Sequence, residues 1–397
     1  MNNNMGKSKI TAVFTNNIRQ YAMIIALLVI IFLFQILTKG ILLMPQNVAN
    51  LILQNGYVII LGIGMMLCIL TGGNIDLSVG SVVAFTGAIA GSLIIGMKMD
   101  VWLAITITII AGFAIGAWQG FWIAYVRVPA FIATLAGMLI FRGLTNAILH
   151  GLTLAPFPKG YLVLTAGFVN DIFKFPGLKL NITSLAAGVI IAFFYIFSSI
   201  RNRINKRKYK FEVTSLPLFI LQLVLMCGVI MLFFYWLARY KGMPTVLVLI
   251  GVLTVAYTFF TNKTIYGRYI YAMGGNEKAA RLSGINTKKV LFLVYLNMGV
   301  LATITGIVFS ARLNAASPLA GNMFELDAIA ACFIGGASAS GGVGTVIGAV
   351  IGALVMGVLN NGMSIMGVGI EWQAVIKGMV LLSAIAFDVY SKSRSKA

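Results

Sequence analysis

The chain has 397 residues, of which 60% are hydrophobic and 10% charged, and its formal net charge is +20. Soluble domains are about 45–50% apolar and about 25% charged, so this composition excludes a soluble globular protein and predicts an all-α, polytopic membrane bundle. The positive charge does not predict nucleic-acid binding, because lysine and arginine concentrate in short loops and tails. Three isolated cysteines and one histidine, His150, offer no metal-ligand spacing.

Twelve apolar runs approach the length needed to cross a bilayer, which predicts about 10–12 transmembrane helices. In chain order they cover roughly residues 21–38, 51–70, 79–97, 101–124, 130–149, 182–200, 216–238, 244–261, 290–310, 327–340, 344–361 and 372–390. The 327–340 run is the weakest because it is short and rich in glycine and alanine, so a re-entrant or broken helix is the alternative there. The 79–97 run is also ambiguous, since it begins within a glycine-bounded motif.

Basic residues predict an orientation, because lysine and arginine are enriched in cytoplasmic loops. With the N-terminus inside, alternating the spans places the basic loop 201–210, the loop 262–289 and the C-terminal tail on the cytoplasmic side. Residues 150–180 then fall outside, together with Arg239 and Lys241, which mildly oppose the rule. The charge bias therefore predicts that both termini are cytoplasmic.

The first polar interruption, residues 71–81, reads Thr-Gly-Gly-Asn-Ile-Asp-Leu-Ser-Val-Gly-Ser and lies between two long apolar runs. A buried carboxylate without a partner costs several kcal/mol in an apolar medium, so Asp76 needs water, a partner or backbone donors. Gly72, Gly73 and Gly80 favour an interrupted backbone at this point. The motif indicates a permease rather than a membrane anchor.

The loop 262–289 contains a predicted short helix with signals at both ends. The residues that mark it are the cap Asn276, the dipole-compatible Glu277, the helix formers Ala279 and Ala280, and the C-terminal pair Gly284 and Ile285. A helix of about two turns is unstable alone in water, so we expect the neighbouring loop or another protein to hold it. The alternative is a solvated helical loop without a binding role.

Taken together, these motifs resemble a known family. The Glu-x-Ala-Ala-x-x-x-Gly spacing at 277–284 is similar to the cytoplasmic coupling loop of ABC importer permeases. The segment Thr71–Ser81 resembles the Gly-Gly-Ile-Asp-Leu-Ser-Val-Gly motif of the ribose, xylose and galactose branch, with Asn74 inserted. Further similar motifs are Pro129-Ala-Phe-Ile-Ala-Thr-Leu135 with Arg142-Gly143, Phe324-Glu-Leu-Asp-Ala-Ile-Ala-Ala331, and Gly335-Gly336 with Ser340-Gly-Gly-Val-Gly-Thr-Val-Ile-Gly348. The resemblance covers nearly the whole chain.

The resemblance implies a type II importer-like fold in which residues 1–397 form a single transmembrane permease domain. The segment 200–243, with the spans beside it, resembles the extra helical pair of xylose-type and multiple-sugar permeases. Within the coupling loop 262–289, the residues expected to dock in a groove of the ATPase are Asn276, Glu277, Ala279, Ala280, Arg281, Ser283 and Gly284. The residues expected to lie near the translocation route, or to brace broken helices around it, are Asn74, Asp76, Ser78, Glu325 and Asp327.

Alternative roles remain open for these polar residues. Asp76 and Ser78 have the hydrogen-bonding groups to contact sugar hydroxyls, but Asp76 would equally serve as a structural cap of a half-helix. For Glu325 and Asp327 a structural role or a place at the external gate is favoured. Arg142 is expected to pair with a carboxylate of another helix rather than with sugar.

The resemblance also implies the partners. A cytoplasmic ATP-binding cassette subunit would hold ATP and Mg²⁺, while this chain would bind neither cofactor nor metal and would not be an enzyme. An extracytoplasmic protein would deliver a monosaccharide, and a second copy of the permease would complete the route. Membrane lipid of a bacterial plasma membrane would surround it, and no nucleic acid is expected.

The alternative function is an ion-coupled secondary transporter or channel for small polar solutes. Such carriers use intramembrane ionisable residues, which are few in this chain. A membrane enzyme is less favoured again, because the sequence contains no recognisable catalytic constellation.

Overall fold

The computed structural model of the chain describes residues 18–173, 180–211 and 213–396, and these residues contain fifteen α-helices. The helices are α1 (Ile18–Leu37), α2 (Pro45–Leu70), α3 (Val79–Gly91), α4 (Val101–Phe121), α5 (Ala130–Leu149), α6 (Lys159–Thr165), α7 (Ile182–Lys208), α8 (Leu216–Ala238), α9 (Thr245–Lys263), α10 (Ile265–Gly275), α11 (Glu277–Leu282), α12 (Thr287–Leu313), α13 (Phe324–Ile334), α14 (Val346–Ile365) and α15 (Ile370–Lys396). Helices α3 and α4 continue into π-helical turns, Ser92–Gly96 and Trp122–Val126. Residues 1–17, part of the predicted cytoplasmic N-terminus, lie outside the described residues.

Nine of the described helices are long and apolar enough to cross a membrane. They are α2, α3 with its π-helical turn, α4, α5, α7, α8, α9, α12 and α14. Helix α1 adds a shorter apolar stretch, Met23–Leu37, while α15 has 27 residues and α13 has 11. The predicted class, an all-α polytopic membrane bundle, is confirmed.

Helix α2 lies at the centre of the bundle. In its most apolar window 89% of the residues are buried, and the helix contacts α9, α12, α13 and α14. Residues 58–70 of α2 are apolar on every side, which suits this position because none of their faces requires water. Met298 and Leu301 of α12 pack directly over Gly64, where a side chain would collide with them. Helix α2 is therefore the central element on which α9, α12, α13 and α14 pack.

Helices α7 and α8 form a peripheral pair. Gly188 of α7 packs against the ring of Phe234 of α8, while the most apolar window of α8 is 0% buried. The assignment of residues 200–243 to an inserted pair stays a prediction. The predicted loop at 201–210 is wrong in part, because α7 continues as far as Lys208. Lysine and arginine are good helix formers, so the helix has no reason to end where its apolar span ends.

The weakest predicted span, 327–340, is a broken element. Helix α13 ends at Ile334, residues 335–345 are irregular, and α14 begins at Val346. Glycine permits this path, since Gly341 adopts φ +82°, a conformation that side-chain-bearing residues rarely take. The broken-helix alternative is thereby confirmed. The 79–97 prediction also holds, because a helix begins at Val79 directly after the polar interruption.

Candidate functional site

Helices α3 and α13 begin side by side within the bundle. A Cβ atom added to Gly80 of α3 would lie 2.1 Å from the carbonyl oxygen of Gly321, so only glycine allows the two backbones to meet this closely. The ring of Phe324, at the start of α13, stacks on Tyr57 with 3.7 Å between centroids. Tyr57 lies about midway along α2. Two helix N-termini, each with partial positive charge, therefore meet about midway along α2, the most fully buried of the candidate spans.

Asp76 is held by hydrogen bonds at the start of α3. Its Oδ1 accepts from the backbone N–H of Ser78 at 2.9 Å and from the Ser78 hydroxyl at 2.6 Å. The Nε2 of Gln119 on α4 donates to Oγ of Ser78 at 2.5 Å. Asp76 is only 1% exposed, and no basic side chain among the described residues forms an ion pair with it. The carboxylate thus closes a turn at Ser78, the residue that precedes α3, and Ser78 links it to Gln119 of α4.

Asn74 lies in the turn that follows α2. Its Nδ2 donates to Oγ1 of Thr71 at 3.1 Å and to the carbonyl oxygen of Thr71 at 3.3 Å. Both bonds are local, so the amide satisfies the end of α2. Asn74 therefore forms contacts within its own turn, and no hydrogen bond among the described residues joins it to Asp76.

Asp327 joins three helices. Its Oδ2 accepts from the Tyr57 hydroxyl of α2 at 2.6 Å, and its Oδ1 lies 3.0 Å from Nζ of Lys377 on α15. The Asp327 side chain is 1% exposed and that of Lys377 is 16% exposed. Removing one partner of such a buried pair strongly destabilises the folded protein, because the other charge is left buried without compensation. Its contacts are those of an interhelical brace.

Glu325 is the half-buried acidic side chain at the meeting point of α3 and α13. Its Oε2 lies so close to Gly80 that a Cβ there would be 2.5 Å away. Arg142 of α5 donates from Nη1 to the carbonyl oxygens of Pro318 at 2.9 Å and Ala320 at 2.7 Å. Arg142 forms no direct ion pair among the described residues, but its charge interacts with that of Glu325 on α13, as predicted for a carboxylate of another helix. Its hydrogen bonds hold the irregular segment that leads into α13.

The five predicted translocation residues are thus not equivalent. Asp76, Ser78 and Asp327 are buried and bonded to other side chains, and Asn74 is bonded to its own turn. Among the described residues, Glu325 is the one of the five that is half-buried and forms no hydrogen bond with another side chain; its charge interacts with that of Arg142.

Helix α11 has the predicted caps. Oδ1 of Asn276 accepts from the N–H of Ala279 at 3.0 Å. At the other end, the N–H of Ile285 donates to the carbonyl of Ala280 at 3.1 Å, and Gly284 has φ +85°. This pattern closes the helix through a left-handed glycine and a following apolar residue.

One side of α11 is fixed to the bundle and the other is free of it. Oε1 of Glu277 accepts from Nη1 of Arg127 at 3.0 Å and from the hydroxyl of Thr287 at 3.2 Å, and Ala280 is buried. Leu282 is 87% exposed. The other exposed residues of this surface are Lys278, Ala279, Arg281 and Ser283. A large exposed leucine on a capped helix is a candidate anchor for another protein.

Three glycine-containing segments meet beside α11, and we call this contact the glycine junction; it consists of residues 70–73, 274–275 and 339–342. The N–H of Gly342 donates to the carbonyl of Leu70 at 3.1 Å. A Cβ on Gly274 would lie 1.7 Å from that carbonyl, and one on Gly73 would lie 2.2 Å from the carbonyl of Ala339. The junction therefore connects the base of α11 with both interrupted segments.

Four contributing residues were not recognised as site residues from the sequence: Tyr57, Gln119, Lys377 and Leu282. Three of them are polar groups within otherwise apolar helices, which is a usable signal because such groups need partners. Leu282 was hidden because an isolated leucine in a polar loop carries no distinctive pattern. The described residues contain no group of three His, Cys, Asp or Glu side chains placed to hold a metal ion.

Comparisons with known proteins agree with the motifs. The family described as "Branched-chain amino acid transport system / permease component" matches residues 47–385. The chain is 38% identical over 378 residues to the xylose transport system permease protein XylH of Haemophilus influenzae, covering 95% of this chain and 98% of that protein. It is 36% identical over 365 residues to the ribose import permease protein RbsC of Escherichia coli, covering 92% of each. No solved structure matches the chain.

Proposed function

This chain belongs to the permease-component family matched at residues 47–385, and from that membership we propose that it is the permease subunit of an ATP-driven monosaccharide importer. The family description names branched-chain amino acids, whereas the XylH and RbsC proteins, each aligned over more than nine-tenths of this chain, are named for xylose and ribose. A pentose is therefore the favoured cargo, delivered by an extracytoplasmic binding protein.

The observation that carries the ATP-driven part of the proposal is the exposed surface of α11. The helix is capped at both ends and tied to α4 through Arg127, yet it presents Leu282 at 87% exposure. A transporter powered by its own ion gradient has no need for such a docking helix. The exposed surface of α11 is suited to dock in a groove of a cytoplasmic ATPase, and that ATPase would hold ATP and Mg²⁺.

The state of the ionisable residues disfavours the ion-coupled alternative. Asp327 is neutralised by Lys377, and Asp76 is satisfied by Ser78. Ion-coupled carriers rely on intramembrane groups that bind and release the coupling ion. Glu325 is the remaining acidic group at the helix break, and a single carboxylate beside two helix N-termini suits transient contact with sugar hydroxyls.

In the proposed cycle, nucleotide-driven movement of the ATPase displaces α11. The glycine junction passes the displacement to the ends of α2 and of the irregular segment 335–345, and thereby to α13. The contact between Gly80 and Gly321 then opens or closes on the sugar. A second copy of the permease would supply the opposite wall of the route.

The test compares two leucine-to-serine variants. L282S changes the exposed surface of α11, while L152S changes a leucine that is 67% exposed in the loop after α5. The permease is purified with the ATPase and binding protein that co-purify from its host, and is reconstituted into liposomes. We expect L282S to lose most sugar-stimulated ATP hydrolysis and uptake of labelled xylose or ribose, with L152S unaffected.

Two results would reject the proposal. Unchanged coupling in L282S would remove the docking role of α11. Sugar uptake by the permease alone, driven by a proton or sodium gradient without ATP, would favour the secondary transporter instead.

A further inference from the structure

A groove lies between α9, α10 and α12 at the end of the bundle that carries α11. Its volume is about 460 Å³, and its lining is almost entirely apolar, including Ala256 and Phe260 of α9, Ile270 of α10 and Val294 of α12. A sugar would lose the hydrogen bonds of its hydroxyls in such surroundings. A hydrocarbon chain would lose nothing and would cover the exposed apolar walls.

Two lysines continue the lining faces of the groove toward the end of the bundle. Lys263 follows Ala256 by seven residues and Phe260 by three on α9, so the three share one face. On α12, Lys289 precedes the lining residue Leu293 by four positions. Both lysines are exposed, and neither forms an ion pair with any carboxylate of the described residues. Two positive charges without a carboxylate partner therefore lie on the helix faces that line the groove, toward the end of the bundle.

The lining of the groove also contains an unsatisfied donor. The Tyr257 hydroxyl donates to Oδ1 of Asn297, and both residues line the groove. The Nδ2 of Asn297 is buried and has no acceptor in the described part of the chain. A buried N–H without a partner is unfavourable, and a carbonyl oxygen from an occupant would satisfy it.

We propose that this groove binds one anionic phospholipid. An acyl chain would lie along the apolar walls, an ester carbonyl would accept from Asn297, and the phosphate would lie between Lys263 and Lys289. Basic pockets between membrane helices on the cytoplasmic side are suited to acidic headgroups. Because α10 packs on α11, the bound lipid would also brace the base of α11. The proposal depends on neither the sugar nor the ATPase.

The first experiment tests the charges. The full-length chain in detergent is titrated with phosphatidylglycerol and with phosphatidylcholine of identical acyl chains, and bound lipid is counted by native mass spectrometry. We expect the first phosphatidylglycerol to bind about tenfold or more tightly than phosphatidylcholine. K263A/K289A should remove this preference. K206A/K208A, which removes the same charge from exposed positions of α7, should keep it.

The second experiment tests the groove itself. A256W fills it from an exposed position and should abolish tight phosphatidylglycerol binding, while V229W, at a position of α8 that is 62% exposed, should not. Equal affinity for the two lipids, equal loss in both lysine variants, or full binding by A256W would overturn the proposal. A permease dimer that A256W dissociates would also overturn it, because the groove would then belong to the interface between two copies.

Discussion

Helix α11 and the meeting point of α3 and α13 are both marked by glycine and acidic residues, yet they are stabilised differently. The caps of α11 are bonds within residues 276–285, and most of its surface is exposed. The meeting point depends on distant partners, such as Tyr57 with Asp327, which are 270 residues apart. A locally stabilised helix tolerates changes on its surface, whereas a junction assembled from distant partners is sensitive to single atoms.

The largest effect is expected at the brace between α13 and α15. K377M leaves the carboxylate of Asp327 buried without its cation, which should lower the free energy of unfolding by about 3–5 kcal/mol. The measurement is unfolding of the purified protein in mixed micelles titrated with dodecyl sulfate. The double variant D327N/K377M should recover much of the loss, since no buried charge remains. A double variant as unstable as K377M would show that charge is not the cause.

The next effect is expected where α3 meets α13. In G80A the new methyl group would lie 2.1 Å from the Gly321 carbonyl, so the helices must separate, at a cost of about 1–3 kcal/mol. G143A is the matched control, because Gly143 of α5 has no atom within 4 Å of an added Cβ. The control should be neutral or slightly more stable, as alanine favours a helix over glycine. Equal behaviour of the two variants in the same unfolding assay would refute the close contact.

A smaller effect separates the two roles considered for Asp76. D76A removes the acceptor used by Ser78 and should cost about 1 kcal/mol, whereas D76N keeps Oδ1 and should stay within about 0.5 kcal/mol of the native protein. Sugar uptake is measured alongside stability. A strong loss of uptake in D76N without loss of stability would contradict the bracing role and favour sugar contact.

The smallest stability effect is expected at α11. The side chains of Arg127 and Glu277 are 43% and 48% exposed, so reversing either charge should change stability by about 0.2–1 kcal/mol. E277R should nevertheless weaken sugar-stimulated ATP hydrolysis, because α11 loses its tie to α4. R127E/E277R restores the pair and should recover most of this activity. Continued uncoupling in the double variant would mean that Glu277 itself contacts the ATPase.

The same contrast explains what the sequence could predict. Asn276, Gly284 and the apolar runs act through local rules of capping and burial, so α11 and the helix positions were foreseeable. The start of α3 was foreseeable from Asp76 and its glycines. The partners Lys377 and Gln119 were not, because nothing in a single sequence says which distant polar groups the packing brings together. The extension of α7 to Lys208 could not be predicted from its apolar run, because bilayer thickness sets the length of the apolar run and not the length of the helix.

The glycine junction has a mechanical consequence. Gly73, Gly274 and Gly342 bring three backbones into direct contact with no side chain between them. A side chain can change rotamer and absorb a small shift, but closely packed peptide groups have low compressibility. The contact is therefore stiff, and a small movement of α10 is shared at once by the end of α2 and by the segment 335–345. Both broken helices should then respond in synchrony rather than one after the other.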